Sequence, residues 1–234
     1  MNKPEATIQL THLVKTYHTP AGDVPVLKDV NLSMKQGEFI GIVGKSGAGK
    51  STLVNMVTGI DTLSSGDVVI GNTAIQQLKE DQRNAWRGKH IGIVYQSFEL
   101  LHQITVLENV LLPLDFAGAF HPIKSKDHAM KLLRQMEIEQ HANKFPAEIS
   151  GGQQQRVAIA RALINQPEII VADEPTGNLD SQTAKIIMAL FHQLSRLGTT
   201  ILMVTHNTQD VQYFTSVYEL KNGILNPITV RRKR

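Results

Sequence analysis

The sequence predicts an α/β fold: a mainly parallel sheet flanked by helices, with an antiparallel β edge and an inserted helical lobe. Three observations predict it. Four short apolar runs, FIGIVG (39–44), IGIVYQ (91–96), IIVADE (169–174) and TILMVTH (200–206), end abruptly at polar residues or glycine. Continuous apolar runs suit strands buried on both faces, as in a parallel sheet covered by helices. Between the last two lies SQTAKIIMALFHQLSRLG. Here Ile186, Leu190 and Leu194 recur at helical spacing, Ile187, Phe191 and Leu197 widen the stripe, and Gly198 closes it. Strand, helix and strand with short links read as a right-handed βαβ unit. Finally, TIQLTHLVKTY, VPVLKDVNLSMKQGE and GDVVIGNTAI alternate more and are joined by Gly and Pro turns, which suits antiparallel strands at the edge of the core.

Residues 97–148 carry no strand pattern. TVLENVLLPLDFAG and SKDHAMKLLRQMEI read as helices interrupted by Pro113 and Pro122. The expected organisation is one domain over residues 1–234. Its core takes in about 1–96 and 156–225, the helical lobe about 97–155, and a basic tail 226–234.

A chain of 234 residues is long enough for such a core. Cysteine is absent, which excludes disulfides and thiolate metal sites and suits a reducing compartment. MNKPEATIQL lacks the apolar run of a secretion signal, and no apolar stretch approaches the roughly 20 residues of a membrane helix. The net charge is +3, but the last four residues, RRKR, are all basic and the rest of the chain is close to neutral. The basic excess is a tail and not a face, so nucleic acid is not an expected partner. The tail is either solvated or a contact for an anionic leaflet, at about 1 kcal/mol per basic side chain near the surface.

In parallel sheets of this kind ligands collect beyond the carboxyl ends of the strands. Gly44, Gln96, Asp173, Glu174 and His206 all fall at those ends. GKSGAGKS (44–51) matches the phosphate-loop pattern in full, after a strand and before the helical run KSTLVNMVTG. The fold class is therefore a phosphate-loop NTPase core. Gly44, Lys45, Ser46, Gly47, Ala48 and Gly49 let backbone N–H groups turn inward around phosphates. Lys50 reaches the β and γ phosphates, Ser51 offers a hydroxyl to Mg²⁺, and Thr52 continues the loop into the helix.

Asp173 is placed to hold the Mg²⁺ shell, and Glu174 to orient an attacking water. Alone, two acids at a strand end would be caps or surface charges; the complete phosphate loop reverses that reading. His206, one of nine histidines, falls on the same rim as Lys50 and Glu174 and could donate to a γ-phosphate. Gln96 offers an amide oxygen to Mg²⁺ or water. Tyr17, in a polar loop before the first glycine turns, could stack on a base or be an ordinary edge-strand tyrosine.

ISGGQQQR (149–156) is a second glycine-rich helix start. Ser150 suits an N-cap, and Val157, Ala160, Leu163 and Ile164 give the following segment an apolar face. Such a start binds anions, or is simply a capped helix after a glycine linker.

Phosphate loop, glutamine, SGGQ, ADE and histidine stand in the order and at about the intervals of an ATP-binding cassette (ABC) ATPase. The chain resembles that family from Tyr17 to about Gly223, with Ile149 where the family usually has leucine. The resemblance implies ATP and Mg²⁺ as cofactors and a role for each residue. Tyr17 would stack on adenine, and Gln96 would link nucleotide to membrane subunits. Ser150, Gly151, Gly152 and Gln153 would form the signature, Glu174 the catalytic base and His206 the switch histidine. GNLD, with Asp180, would cross the interface of a head-to-tail homodimer, each ATP lying between one chain's phosphate loop and the other's signature.

HTPAGDVPVLKDVNLSMKQGEFIGIVGKSGAGKSTL, TVLENVLLPL and ADEPTGNLDS resemble the subfamily of macrolide exporters, lipoprotein-releasing ATPases and the cell-division cassette. This implies an ATPase at the cytoplasmic face of a bacterial inner membrane that drives an integral-membrane permease, contacted near SFELLHQ (97–103). A mechanical regulator of an envelope process, using the same cycle without transport, is the alternative. A soluble cassette acting on ribosomes or DNA fits less well, because the chain has neither a second cassette nor a basic face.

Overall fold

The computed structural model describes residues 8–228. The edge sheet comes first in the chain. β1 (Ile8–Thr19) and β2 (Gly22–Met34) form a long hairpin, and β4 (Ser65–Ile70) with the short β5 (Thr73–Ala74) completes an antiparallel sheet in the order β2-β1-β4-β5. The second sheet is built on β3 (Phe39–Val43), β6 (Ile91–Val94), β7 (Ile169–Asp173), β8 (Thr200–Thr205), β9 (Ser216–Lys221) and β10 (Ile224–Ile228). Its order is β10-β9-β3-β8-β7-β6, parallel throughout except for β10.

The unbroken apolar runs have the expected cause. Ile170, Ala172, Ile201 and Met203 point into one core, while Ile169, Val171, Leu202 and Val204 point into another on the opposite face. The second core is closed by the antiparallel sheet and by α1 (Lys50–Thr58). After α1 and the largely exposed α2 (Glu80–His90), the helices α3 (Val106–Phe116), α4 (Lys124–Gln135), α5 (Gly151–Leu163) and α6 (Ser181–Arg196) enclose the first.

Several expectations need correction. Pro113 does not interrupt the lobe's first helix but lies within α3. The proline lacks the N–H that would bond the carbonyl four residues earlier, and a firm start offsets this loss. Thr105 and Glu108 form a reciprocal capping box, and the fully buried Asn109 donates to the carbonyls of Leu101, Ile104 and Thr105.

In α6 the buried stripe is Ile187, Met188, Phe191 and Ser195; Ile186 and Leu197 face solvent. The expected lobe boundary at residue 155 falls inside α5, which runs unbroken from lobe to core. The expected tail begins inside β10, which pairs with β9 as far as Ile228. RRKR lies outside the described residues.

Among the described residues no helix is long and apolar enough to cross a membrane.

Candidate nucleotide site

The end of β3, the start of α1 and the ends of β7 and β8 meet around one cavity of about 530 Å³. It is lined by Ser46, Gly47, Gly49, Lys50, Ser51, Thr52, Gln96, Glu174, His206 and Val26. Nine of the eighteen expected site residues therefore line it, from segments up to 160 residues apart; Tyr17, Gly44, Lys45, Ala48, Asp173 and residues 150–153 do not. The loop needs its glycines. Gly49 has φ +101°, and a Cβ there would stand 3.1 Å from Val26 Cγ1. A Cβ on Gly44 would stand 2.6 Å from the Leu220 carbonyl oxygen. The loop folds around Lys50, whose ammonium donates to the carbonyls of Gly44 at 2.9 Å and Lys45 at 3.2 Å. Ala48 N–H closes the turn on Lys45.

Glu174 is the hub. His206 Nδ1 is 2.8 Å from its Oε2, Gln96 Nε2 donates to the same oxygen at 3.4 Å, and Lys50 Nζ is 3.5 Å from Oε1. The carboxylate projects from a backbone with φ +47°, rare for a residue with a side chain, and its N–H is tied to the Val204 carbonyl at 2.9 Å. Next to it, burial pushes the Asp173 carboxyl above the usual aspartate range, against the opposing effect of a hydrogen bond with Ser51. Buried carboxylate, serine hydroxyl and glutamine amide make a set of hard donors that fits Mg²⁺, an ion that keeps phosphate and water as its other ligands.

Tyr17 is not in a loop. It lies within β1, paired with Val24 of β2, because the hairpin extends to Thr19. It stays close to the cavity, since its hydroxyl also interacts with Thr52.

Ser150, Gly151, Gly152 and Gln153 are not among the residues lining this cavity. Ser150 caps α5: its Oγ accepts from Gln153 N–H at 3.3 Å, and Gln153 Oε1 accepts from Ser150 N–H at 2.9 Å. Gly152 lies against the GNLD turn, where a Cβ would stand 3.4 Å from the Asn178 carbonyl oxygen. Asp180 caps α6, accepting from Gln182 and Thr183 N–H at 3.0 Å each.

Sequence reasoning missed Arg161. Its guanidinium donates to the carbonyls of Phe98 and Glu99, two residues at positive φ just after Gln96, and so ties α5 to that loop. Asn178 Nδ2 also donates to the Gln96 carbonyl, at 3.4 Å. Neither partner could be found from spacing, because each contact spans more than 60 residues.

The family model described as "ABC transporter" matches residues 27–177. The chain belongs to the ABC transporter family. It is an ATP-binding, ATP-hydrolysing cassette. It is 40% identical over 223 residues to the lipoprotein-releasing system ATP-binding protein LolD of Idiomarina loihiensis, covering 95% of this chain and 97% of that one. It is 44% identical over 204 residues to the ABC transporter ATP-binding protein YtrE of Bacillus subtilis, covering 87% and 88%. The macrolide export ATP-binding/permease protein MacB of Syntrophobacter fumaroxidans is 40% identical over 222 residues. There the match takes in 94% of this chain but only 31% of the relative. The dimeric ABC cassette MJ0796, in a post-hydrolysis state bound to ADP and Pi, superposes with a TM-score of 0.92 at 40% identity, covering 97% of this chain and 100% of that one.

Proposed function

We propose that the chain is the ATPase subunit of a lipoprotein-release or export type of ABC system, working as a head-to-tail homodimer that drives separate permease subunits. The carrying observation is the convergence of Lys50, Gln96 and His206 on the Glu174 carboxylate at the mouth of the phosphate loop.

In this reading Lys50 and the N–H groups of residues 44–52 hold the phosphates, and Tyr17 stacks on the base. Glu174 takes a proton from the water that attacks the γ-phosphorus, while the β–γ bridging oxygen leaves with ADP. His206 keeps the Glu174 carboxylate aimed and faces the γ-phosphate. Ser51, Asp173 and Gln96 would hold Mg²⁺, which would supply positive charge to offset that of the phosphates. Ser150, Gly151, Gly152 and Gln153 complete the partner's site. Their absence from the chain's own cavity supports this arrangement, and the dimeric cassette relatives make it the expected assembly.

The helical lobe, from residue 97 to the start of α5, faces the permease, with exposed Leu101 in the contact segment. The assembly sits on the cytoplasmic face of the inner membrane.

Complementation tests the geometry. Lys50→Ala and Ser150→Asp chains should each be inactive alone. Mixed, they should regain part of the hydrolysis, because the heterodimer holds one site with both residues intact. A mixture as inactive as its parts would overturn the shared-site reading.

A further inference from the structure

Lys15 is a buried cation outside the phosphate cavity. Its side chain is 9% exposed, and its ammonium donates to Asp61 Oδ1 at 3.0 Å and to the Thr62 carbonyl at 2.6 Å. The same ammonium lies over the Tyr17 ring, 4.6 Å from its centroid. Tyr17 Oη donates to the other Asp61 oxygen at 2.9 Å. One carboxylate therefore bridges the lysine and the tyrosine. Burial pushes Asp61 up, but bonds from Lys15, the Thr62 N–H and Tyr17 outweigh it and hold the carboxyl below its usual range.

We propose that Lys15 and Asp61 are positioning residues for the nucleotide base, fixing the Tyr17 ring by its hydroxyl and occupying one of its faces so that the other serves as the stacking platform. The inference rests on the reading of Tyr17 as the base contact.

Its physical content is preorganisation. A tyrosine free to change rotamer must be ordered when the base arrives, and that entropy is lost from affinity. Here the ring is held at both ends, by Asp61 at the hydroxyl and by the strand at Cα. Lys15 adds a second effect. A cation on one face draws on the ring's electrons, which makes the opposite face a better partner for an electron-rich purine. Because Lys15 is buried and bonded to Asp61, it cannot swing out to a phosphate.

A purely structural lysine would tie β1 to the loop at 61–62 and affect every ligand alike. A positioning lysine affects only ligands that carry a base, and only through Tyr17. The experiment measures ATP hydrolysis by the full chain with tripolyphosphate as a competitor that has no base. Lys15→Met is expected to raise KM for ATP about 3- to 10-fold while kcat stays within about twofold and tripolyphosphate inhibition is unchanged. Lys15→Arg, which keeps the cation, should restore most of the affinity. In a Tyr17→Ala background Lys15→Met should add nothing further.

An ATP KM unaffected by Lys15→Met, with Tyr17→Ala raising it, would overturn the proposal. So would equal losses for ATP and tripolyphosphate. An ATP KM unaffected by Tyr17→Ala would instead defeat the reading of Tyr17 itself. Should Lys15→Met not fold, Asp61→Asn is judged by the same outcomes.

Discussion

His206 Nδ1 and Glu174 Oε2 stand 2.8 Å apart, the shortest of the contacts that converge on the Glu174 carboxylate from the ends of β8 and β6 and the start of α1. The carboxylate is 12% exposed and the histidine 63%, so the acid is set inside the site while the imidazole remains at its rim. A group held this way is aimed before substrate arrives.

Glu174→Gln keeps the shape and loses the proposed base. Turnover should fall by about 10²- to 10⁴-fold, while ATP binding persists. The ATP-bound dimer should then accumulate, because hydrolysis no longer opens it. Phosphate release and gel filtration in ATP check both parts; turnover at the wild-type rate would sink the base assignment.

His206→Ala should act on a different parameter from a phosphate-loop variant. The imidazole contacts Glu174, the proposed base, so its loss should lower kcat by about 10²-fold with little change in KM. Lys50→Ala, which removes a cation from the loop itself, should abolish tight nucleotide binding. Equal effects of the two variants on nucleotide affinity, measured by equilibrium titration, would contradict the separation of roles.

Asp173 carries a cost to folding at neutral pH. Its carboxyl is raised by burial, so the folded chain holds that proton more tightly than the unfolded chain does. The resulting stabilisation is complete below the ordinary aspartate value of 3.8 and is lost as pH rises through the higher folded value. At pH 7 the buried charge therefore destabilises. Asp173→Asn should raise the melting temperature by about 2–4 °C for each kcal/mol relieved at neutral pH, with the gain vanishing near pH 4. Hydrolysis should be lost in the same variant. A lower melting temperature at neutral pH, by calorimetry, would show that the carboxylate is net stabilising.

The strands and the phosphate loop were legible because their causes are local. Two-sided burial writes continuous apolar runs, and a loop around phosphate writes glycines at fixed spacing. The buried stripe of α6 lies about one residue from the one its spacing predicts, because Ile186 and Ile187 are both apolar and only packing decides which turns inward. The polar stretch around Tyr17 reads as a loop, yet pairing with β2 carries the strand through it to Thr19. The links of Lys15 to Asp61, of Arg161 to Phe98 and of Asn178 to Gln96 left no trace in spacing, since each joins segments that only the tertiary fold brings together.

Ser150 has a role within its own chain, as N-cap of α5, and the proposed role toward the partner's phosphate. Substitution can separate them. Ser150→Ala removes the cap and should lower stability by about 1 kcal/mol, so any loss of activity would be ambiguous. Ser150→Asp keeps an oxygen that can accept from Gln153 N–H and adds negative charge at the helix start, where the dipole favours it. The melting temperature and single-chain ATP binding should therefore stay near wild type. Across a dimer interface the same carboxylate would face the γ-phosphate and repel it, so hydrolysis and ATP-driven dimerisation should both fail. If Ser150→Asp hydrolyses ATP normally, residues 150–153 are a helix cap and nothing more.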